Sequence, residues 1–277
     1  MKFLTKIKTL TAAMAVAATG FIAPAAPAQA EELLETIQRR GKLMVGMSTF
    51  VPWAMRSTDG ELMGFEIDVA TKVAEDLGVE VEFVPTAWSG IIPALLAGNF
   101  DVIIGGMSIT PQRNLTVNFT IPYANSGQQM AANLDLAGSF TSYDDFNQTS
   151  VNLSCRRGVV GCTILENTFP RATILQFDDD AQAFQEVLNG NAHAVISSAP
   201  KPAFWAEANP ERIHVAFDGA NLSTGNEGFA LRKGEHDALN FFSNWILVHQ
   251  TNGWLQERHD FWFQGQSAWI DQVAPEQ

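Results

Sequence analysis

Positive charge is scarce in this chain of 277 residues: 17 Lys and Arg stand against 30 Asp and Glu, a formal net charge of −13. Such a surface repels polyanions, which excludes nucleic acid and anionic membrane surfaces as partners. Cysteine is scarcer still. The two residues, Cys155 and Cys162, lack the C-x-x-C form, and the five His are scattered with no pair at metal-ligand spacing, so the pattern calls for no metal. No heptad or short repeat runs through the chain, which excludes coiled coils and repeat arrays. What is abundant is apolar: 46% of residues are hydrophobic against 17% charged, with 19 Phe and 7 Trp. That composition builds a packed core and argues against disorder.

Past residue 30 no segment is long and apolar enough to span a bilayer. Residues 1–30 differ, with Lys2, Lys6 and Lys8, an apolar run over 10–22 interrupted by Thr11 and Gly20, then Pro24 and Ala28-Gln29-Ala30. This basic, apolar, small-residue order is that of a secretory signal peptide, with cleavage expected after Ala30. No Cys follows that point, so no lipid anchor is suggested and the mature chain is expected to be soluble and exported. Without the leader the balance is 14 basic residues to 30 acidic ones, a net charge of −16. An anionic ligand therefore needs a local cluster of cations, and each basic residue in a cleft is informative.

Strands and helices alternate along the mature chain. Residues 31–40 read as a helix, with acids first and Arg39-Arg40 before the Gly41 stop. A strand over 43–47, a helix over 66–77, a strand over 79–84, a helix over 90–97 and a strand over 102–105 follow. A second series comprises strands over 151–155, 173–177 and 194–197 with helices over 163–168 and 181–188. This grammar predicts an α/β fold with parallel sheets flanked by helices. The polar, Gly-containing stretches 123–135 and 218–227 predict two chain crossings between the units. The tail, 236–262, reads as helical and rich in Phe and Trp, a packing element.

The enzymatic patterns fail. Gly106-Met107-Ser108 begins like a nucleophile elbow, but the required second Gly is Thr110, and no phosphate-cradling glycine loop is present. No catalytic residue or cofactor is called for. The informative stretch is Gly105 to Arg113, after the buried strand. Thr110 suits an N-cap and Pro111 a first helical position, so a short helix starts here. Arg113 then falls in the first turn, where the helix dipole disfavours a cation. A cation at the carboxyl end of a parallel strand points to an anion pocket, with Arg113 as a bidentate partner for a carboxylate and Ser108 beside it. A surface Arg paired with an acid would look the same in this segment alone.

The stretch resembles the signature of the bacterial extracellular solute-binding proteins of family 3, the polar amino-acid-binding components of ABC importers. The resemblance runs through Gly41-x-Leu43, Val45-Gly46, Pro52-Trp53, Gly60 and Gly64-Phe65-Glu66-Ile67-Asp68. It continues through Trp88, Ile92-Pro93-Ala94-Leu95, Gly98, Asp101, 106–113 and 119–123, and ends at Gly253 and Phe261-Trp262-Phe263. It implies a two-lobe periplasmic-binding-protein fold of type II, each lobe a sheet flanked by helices. Residues 31–124 and 227–277 would form lobe one and 125–226 lobe two, joined by a two-crossing hinge. It also implies a monomer that passes a small-molecule carboxylate, amino acid or analogue to an ABC transporter permease in the inner membrane. Arg113 and Ser108 match the carboxylate-binding pair, supported by Thr110, and Gly106 matches a position whose backbone faces the ligand. Phe50 and Trp88 match two aromatics that sandwich it, with Trp53 a further aromatic nearby.

The departures concern the second lobe. Gly158-Val159-Val160 stands where the family usually has Gly-Thr-Thr, and Ser198 stands where it has the acid for the ligand ammonium. Glu227 is a candidate replacement for that acid. Members that bind basic amino acids commonly carry an acid three residues before the first aromatic, where this chain has Met47. One of Arg156 and Arg157 is expected to face the cleft. Cyclohexadienyl dehydratases share the scaffold, but the position of their catalytic Glu is Lys201 here. The ligand-site candidates are thus Phe50, Trp88, Gly106, Ser108, Thr110, Arg113, Arg156, Gly158 and Ser198. Cys155 and Cys162 could form a disulfide or remain two buried thiols.

Overall fold

A computed structural model describes residues 32–274; the signal peptide and cleavage site read from the sequence lie outside the described residues. The first helix, α1 (Leu33–Arg40), stops at Gly41, whose φ of 69° lets its N–H reach back to the carbonyls of Gln38 and Ile37. Strand β1 (Lys42–Met47) leads through the small hairpin β2 (Met55–Arg56) and β3 (Leu62–Met63) into α2 (Phe65–Leu77). Then come β4 (Glu80–Pro85), a 3-10 turn at Trp88–Gly90, α3 (Ile91–Leu96), β5 (Val102–Ile103), α4 (Pro111–Asn114) and β6 (Asn118–Phe119). The long β7 (Ala124–Asn133) opens the second half, followed by α5 (Leu134–Ala137), α6 (Tyr143–Phe146), β8 (Asn152–Arg156), α7 (Val160–Thr168) and β9 (Thr173–Phe177). After α8 (Asp180–Leu188), β10 (Ala194–Ser198), α9 (Lys201–Ala208) and β11 (Ile213–Val215), the chain returns through β12 (Ser223–Glu227) to β13 (Ala230–Leu231), α10 (His236–Thr251) and α11 (Trp254–Phe263).

Two sheets result, ordered β4-β1-β5-β13-β6 and β11-β7-β10-β8-β9, with β12 paired to β7. The alternating segments give parallel pairs as expected: β1 lies parallel to β4 and β5, and β8 parallel to β9 and β10. The sheets are nevertheless mixed, because β13 runs antiparallel to β5 and β6, and β7 antiparallel to β10 and β11. The reversed strands, β7 and β13, are those entered from the other sheet. No helical crossover precedes them, so nothing imposes the parallel sense. The two stretches expected as crossings are themselves strands, β7 and β12, paired in antiparallel register from Ser223 opposite Gln128 to Glu227 opposite Ala124.

Each sheet has its own apolar packing. Leu43, Val45, Val102 and Ile104 of the first pack with Phe65, Val69 and Val73 of α2 and with Phe242, Trp245, Trp262 and Trp269 of the tail. The tail is therefore core, as its aromatics suggested, but it is two helices, broken at Gly253 with φ of 84°. Its indoles carry their polar ends to acids of α2: Trp262 Nε1 donates to Asp68 at 2.6 Å and Trp245 Nε1 to Asp76 at 2.9 Å. Met130, Leu153, Cys155, Leu165, Phe169 and Ile196 fill the second sheet's core.

Candidate ligand-binding cleft

The carboxyl ends of β1, β5, β8 and β10 converge on one cleft, a cavity of about 40 Å3, the location expected for a ligand on sheets of this kind. Ser48 and Phe50 follow β1, Gly105, Gly106 and Ser108 follow β5, and Trp88 comes from the 3-10 turn. From the second sheet come Arg156, Val159 and Val160 around the start of α7, Asp180 opening α8, Ser197 and Ser198 closing β10, and Gln128 on β7. Of the ligand-site candidates, Phe50, Trp88, Gly106, Ser108, Arg113, Arg156 and Ser198 line this cleft together.

Arg113 owes its aim to the cap. Thr110 accepts from the Arg113 N–H at 3.1 Å through Oγ1, and Pro111 starts α4, fixing the turn that carries the guanidinium. Thr110 does not itself line the cleft, and its Oγ1 and the Arg113 N–H are used by the cap. The Arg113 side chain donates to the carbonyls of Ser108 at 2.9 Å and Gly158 at 3.0 Å. Among the described residues no carboxylate pairs with it, and burial pushes its pKa down to about 10. Gly158 thus enters as a carbonyl acceptor and not as part of the cleft lining. Its φ is 82°, and a Cβ there would lie 3.3 Å from Ser89 Cα, so glycine permits this close approach of the two halves.

Arg156 makes the reciprocal connection. It is 5% exposed and donates across the cleft to Ser48 Oγ and to the Thr49 carbonyl. Arg157 points outward, to Asp178 at 3.3 Å and the Gln176 carbonyl at 3.0 Å, which settles which of the neighbouring arginines faces the cleft. Cys155 and Cys162 form a disulfide with a Cα separation of 5.5 Å, so the turn bearing Arg156, Gly158, Val159 and Val160 is tied at both ends. The guanidinium carbons of Arg113 and Arg156 lie 5.9 and 5.8 Å from the centroid of the same Trp88 ring, within cation–π range.

The acid of the cleft is one that sequence reasoning missed. Asp180 is the third of the run 178–180, behind Asp179, which caps α8 by accepting from the Gln182 N–H at 2.7 Å. With the cap role taken, Asp180 turns inward, buried, 3.7 Å from the Lys201 ammonium. Lys201 in turn sits 4.9 Å from the centroid of Phe50. Glu227, the candidate replacement acid, does not line the cleft; its carboxyl accepts from Ser126 Oγ at 2.6 Å, and burial pushes its pKa up to about 8. Glu66 is buried likewise and raised to about 8. It accepts from the Tyr123 hydroxyl at 2.6 Å, which accepts from the Gly106 N–H at 3.0 Å. Gly106 therefore lines the cleft with its N–H already engaged. Trp53 belongs to the core, 2% exposed and edge-on to Phe65 and Phe263. Ser198 accepts from Gln128 Nε2 at 2.7 Å, whereas the buried Ser197 hydroxyl has no hydrogen-bond partner among the described residues.

Two sheets joined by paired crossings, with a cleft between them rich in hydrogen-bond donors, define a two-lobed receptor for small solutes. The chain belongs to the bacterial extracellular solute-binding proteins, family 3, whose family pattern matches residues 43–265. It is 29% identical over 234 residues to the L-cystine-binding protein TcyJ of Escherichia coli strain K12, covering 84% of this chain and 86% of that one. It is 24% identical over 255 residues to a cyclohexadienyl dehydratase of Pseudomonas aeruginosa, covering 90% and 93%. Among solved structures, an ancestral amino acid-binding protein described as a precursor of cyclohexadienyl dehydratase matches with a TM-score of 0.77 at 36% identity, over 84% of this chain and all of that one. An ABC-transporter binding component from Wolinella succinogenes complexed with lysine matches with a TM-score of 0.77 at 33% identity, over 84% and 99%.

Proposed function

We propose that the chain is the periplasmic receptor of an ABC importer, exported through the leader at residues 1–30. In this reading it captures, as a monomer, a small carboxylate ligand, an amino acid or close organic-acid analogue, and presents it to the permease. The observation that carries the reading is Arg113: a half-buried guanidinium at the mouth of parallel strands, held by two carbonyls and by no carboxylate among the described residues. A partly desolvated cation with only neutral acceptors gains from an anionic partner. The lobes take residues 31–124 with 227–277, and 125–226; the strands of the two sheets draw on these ranges. Ligand contacts fall to Phe50, Trp88, Gly106, Ser108, Arg113, Arg156 and Ser198.

The dehydratase-like alternative has less support. Where the resemblance implies a catalytic glutamic acid, Lys201 stands as a buried ammonium beside Asp180, and an ammonium held by a carboxylate is no replacement for a carboxylic acid as proton donor. A thermal-shift screen over amino acids, keto acids and dicarboxylates tests the capture reading, since a ligand that binds only the folded state raises Tm. The reading expects at least one carboxylate to do so without turnover. A screen with no shift, or turnover of a cyclohexadienyl acid, overturns it.

A further inference from the structure

The two lobes also meet outside the cleft, along α9. Its first residue, Lys201, places its ammonium 4.9 Å from the ring centroid of Phe50 in the other lobe. One turn further on the same helix face, the ring of Phe204 lies 6.1 Å from that of Trp269, at an interplanar angle of 69°. Trp269 is firmly part of the first lobe. It is 1% exposed within that lobe's core, and its Nε1 donates to the Phe261 carbonyl at 3.2 Å. The tail that carries it is stitched to the β2–β3 hairpin: the Thr58 N–H donates to the Gln272 carbonyl at 2.8 Å, the Ala274 N–H to the Arg56 carbonyl at 2.9 Å, and Ser57 bridges Val273. Phe204 is placed differently. Half-buried, it packs with the first lobe's core and with neither apolar cluster of its own lobe. The next residue, Trp205, anchors α9 inward, stacked on Phe184 with centroids 4.4 Å apart. Neither Phe204 nor Trp269 lines the cleft.

We infer that Phe204 is a positioning residue for capture: its seat on Trp269 holds the lobes together before a ligand arrives, and so raises the affinity for every ligand without touching any. This rests on the solute-capture reading and adds what sets the closed population. Bending of the paired strands β7 and β12 draws α9 away from the tail and returns the apolar area of both rings to water. The contact therefore belongs to the closed arrangement alone and favours it. A ligand that binds only that arrangement has an apparent affinity scaled by the fraction of protein in it, so all ligands feel a change in that fraction equally. The seam is incompletely filled. A cavity of about 240 Å3 lies among Val51, Phe204, Ile270 and Val273, so the surfaces part without dismantling a close-packed core, and a larger ring has room there.

The test combines small-angle X-ray scattering of the ligand-free mature protein with calorimetry on L-glutamate, L-glutamine, L-arginine, L-cystine and 2-oxoglutarate. Phe204→Ala should enlarge the radius of gyration by roughly 1 Å, as hinge opening does. Its circular dichroism should stay that of wild type, since α9 keeps Trp205 on Phe184. Every probe that wild type binds should weaken by one common factor, about fivefold. Phe204→Trp, which the cavity accommodates, should keep the compact dimensions and at least wild-type affinity. Unchanged dimensions in Phe204→Ala overturn the inference. So does a loss confined to one probe, which would make Phe204 a ligand contact, or an expansion that Phe204→Trp shares. If no probe binds wild type, the capture reading fails for those solutes, and the scattering alone decides this inference.

Discussion

The Arg113 guanidinium donates to the Gly158 carbonyl at 3.0 Å, so a cation of the first lobe is satisfied by a neutral backbone group of the second. Replacing that weak partner with a carboxylate is what binding would accomplish. Arg113→Ala should therefore abolish ligand binding while leaving the fold intact, at a cost of about 2–5 kcal/mol for the lost partner of a desolvated pair. Arg113→Lys should also bind poorly, because a point charge cannot reproduce a two-pronged contact. Calorimetry gives the affinities and circular dichroism the fold; wild-type affinity in the Ala variant would remove Arg113 from the site.

Ser198 offers the converse experiment. Its hydroxyl accepts from Gln128 at 2.7 Å on the rim of the cleft, where the family places an acid. Ser198→Asp should raise affinity for α-amino acids relative to their des-amino analogues, since it supplies a counter-charge for the ammonium. A gain of about 1–2 kcal/mol in that difference is expected for a charge-assisted hydrogen bond. Paired titrations of an amino acid and its des-amino analogue measure it, and an unchanged ratio would mean that no ammonium reaches this rim.

The disulfide ties the turn that carries Arg156. The cysteines are separated by 7 positions, a loop whose closure should stabilise the fold by about 2–3 kcal/mol. The Cys155→Ser, Cys162→Ser double variant should lose that much in urea denaturation and should also bind ligand more weakly, through a looser Arg156. Lost stability with unchanged affinity would show that the strand and helix hold the turn unaided.

Glu66 and Glu227, both buried and raised from 4.5 to about 8, set the pH dependence of stability. An acid protonated in the folded chain but ionised in the unfolded one disfavours folding increasingly as pH rises from 4.5 to 8. The lowered pKa values of His193 and His259 act in the opposite sense below 6.5. The window from 6.5 to 8 is thus where the glutamates act alone, and stability should fall there by up to about 1.4 kcal/mol per pH unit for each. Glu66→Gln, which can still accept from Tyr123, should reduce the slope by about half. A Tm that is flat or rises across that window would contradict it.

The alternation of segments and the Thr110–Pro111–Arg113 grammar were legible because they are local: caps, glycine stops and period depend on neighbours in sequence. What was not legible depends on distant partners. The stretch at 123–135, with Asn125, Gly127, Gln128 and Gln129, has the composition of a loop, yet becomes β7 because β10, β11 and β12 all pair with it. Asp180 looks like one more solvated acid until Asp179 takes the cap and leaves it facing inward. Arg156 and Arg157 are equivalent on paper; Arg156 ends β8, a strand buried on both faces, whereas Arg157 lies in the exposed turn beyond it. Trp53 and Trp88 differ only in what surrounds them, and apart from the family resemblance the sequence carries no signal for that.

The pairing of β7 with β12 bears on how the halves can move. Two independent linkers would let the lobes swivel, slide and tilt. A hydrogen-bonded ladder from Ser223 opposite Gln128 to Glu227 opposite Ala124 behaves as one ribbon, soft to bending out of its plane and stiff to shear along it. Opening is thereby reduced to flexing along essentially one coordinate, like a leaf spring, and each return path brings Arg113 back to Gly158 and Arg156 back to Ser48 in the same alignment.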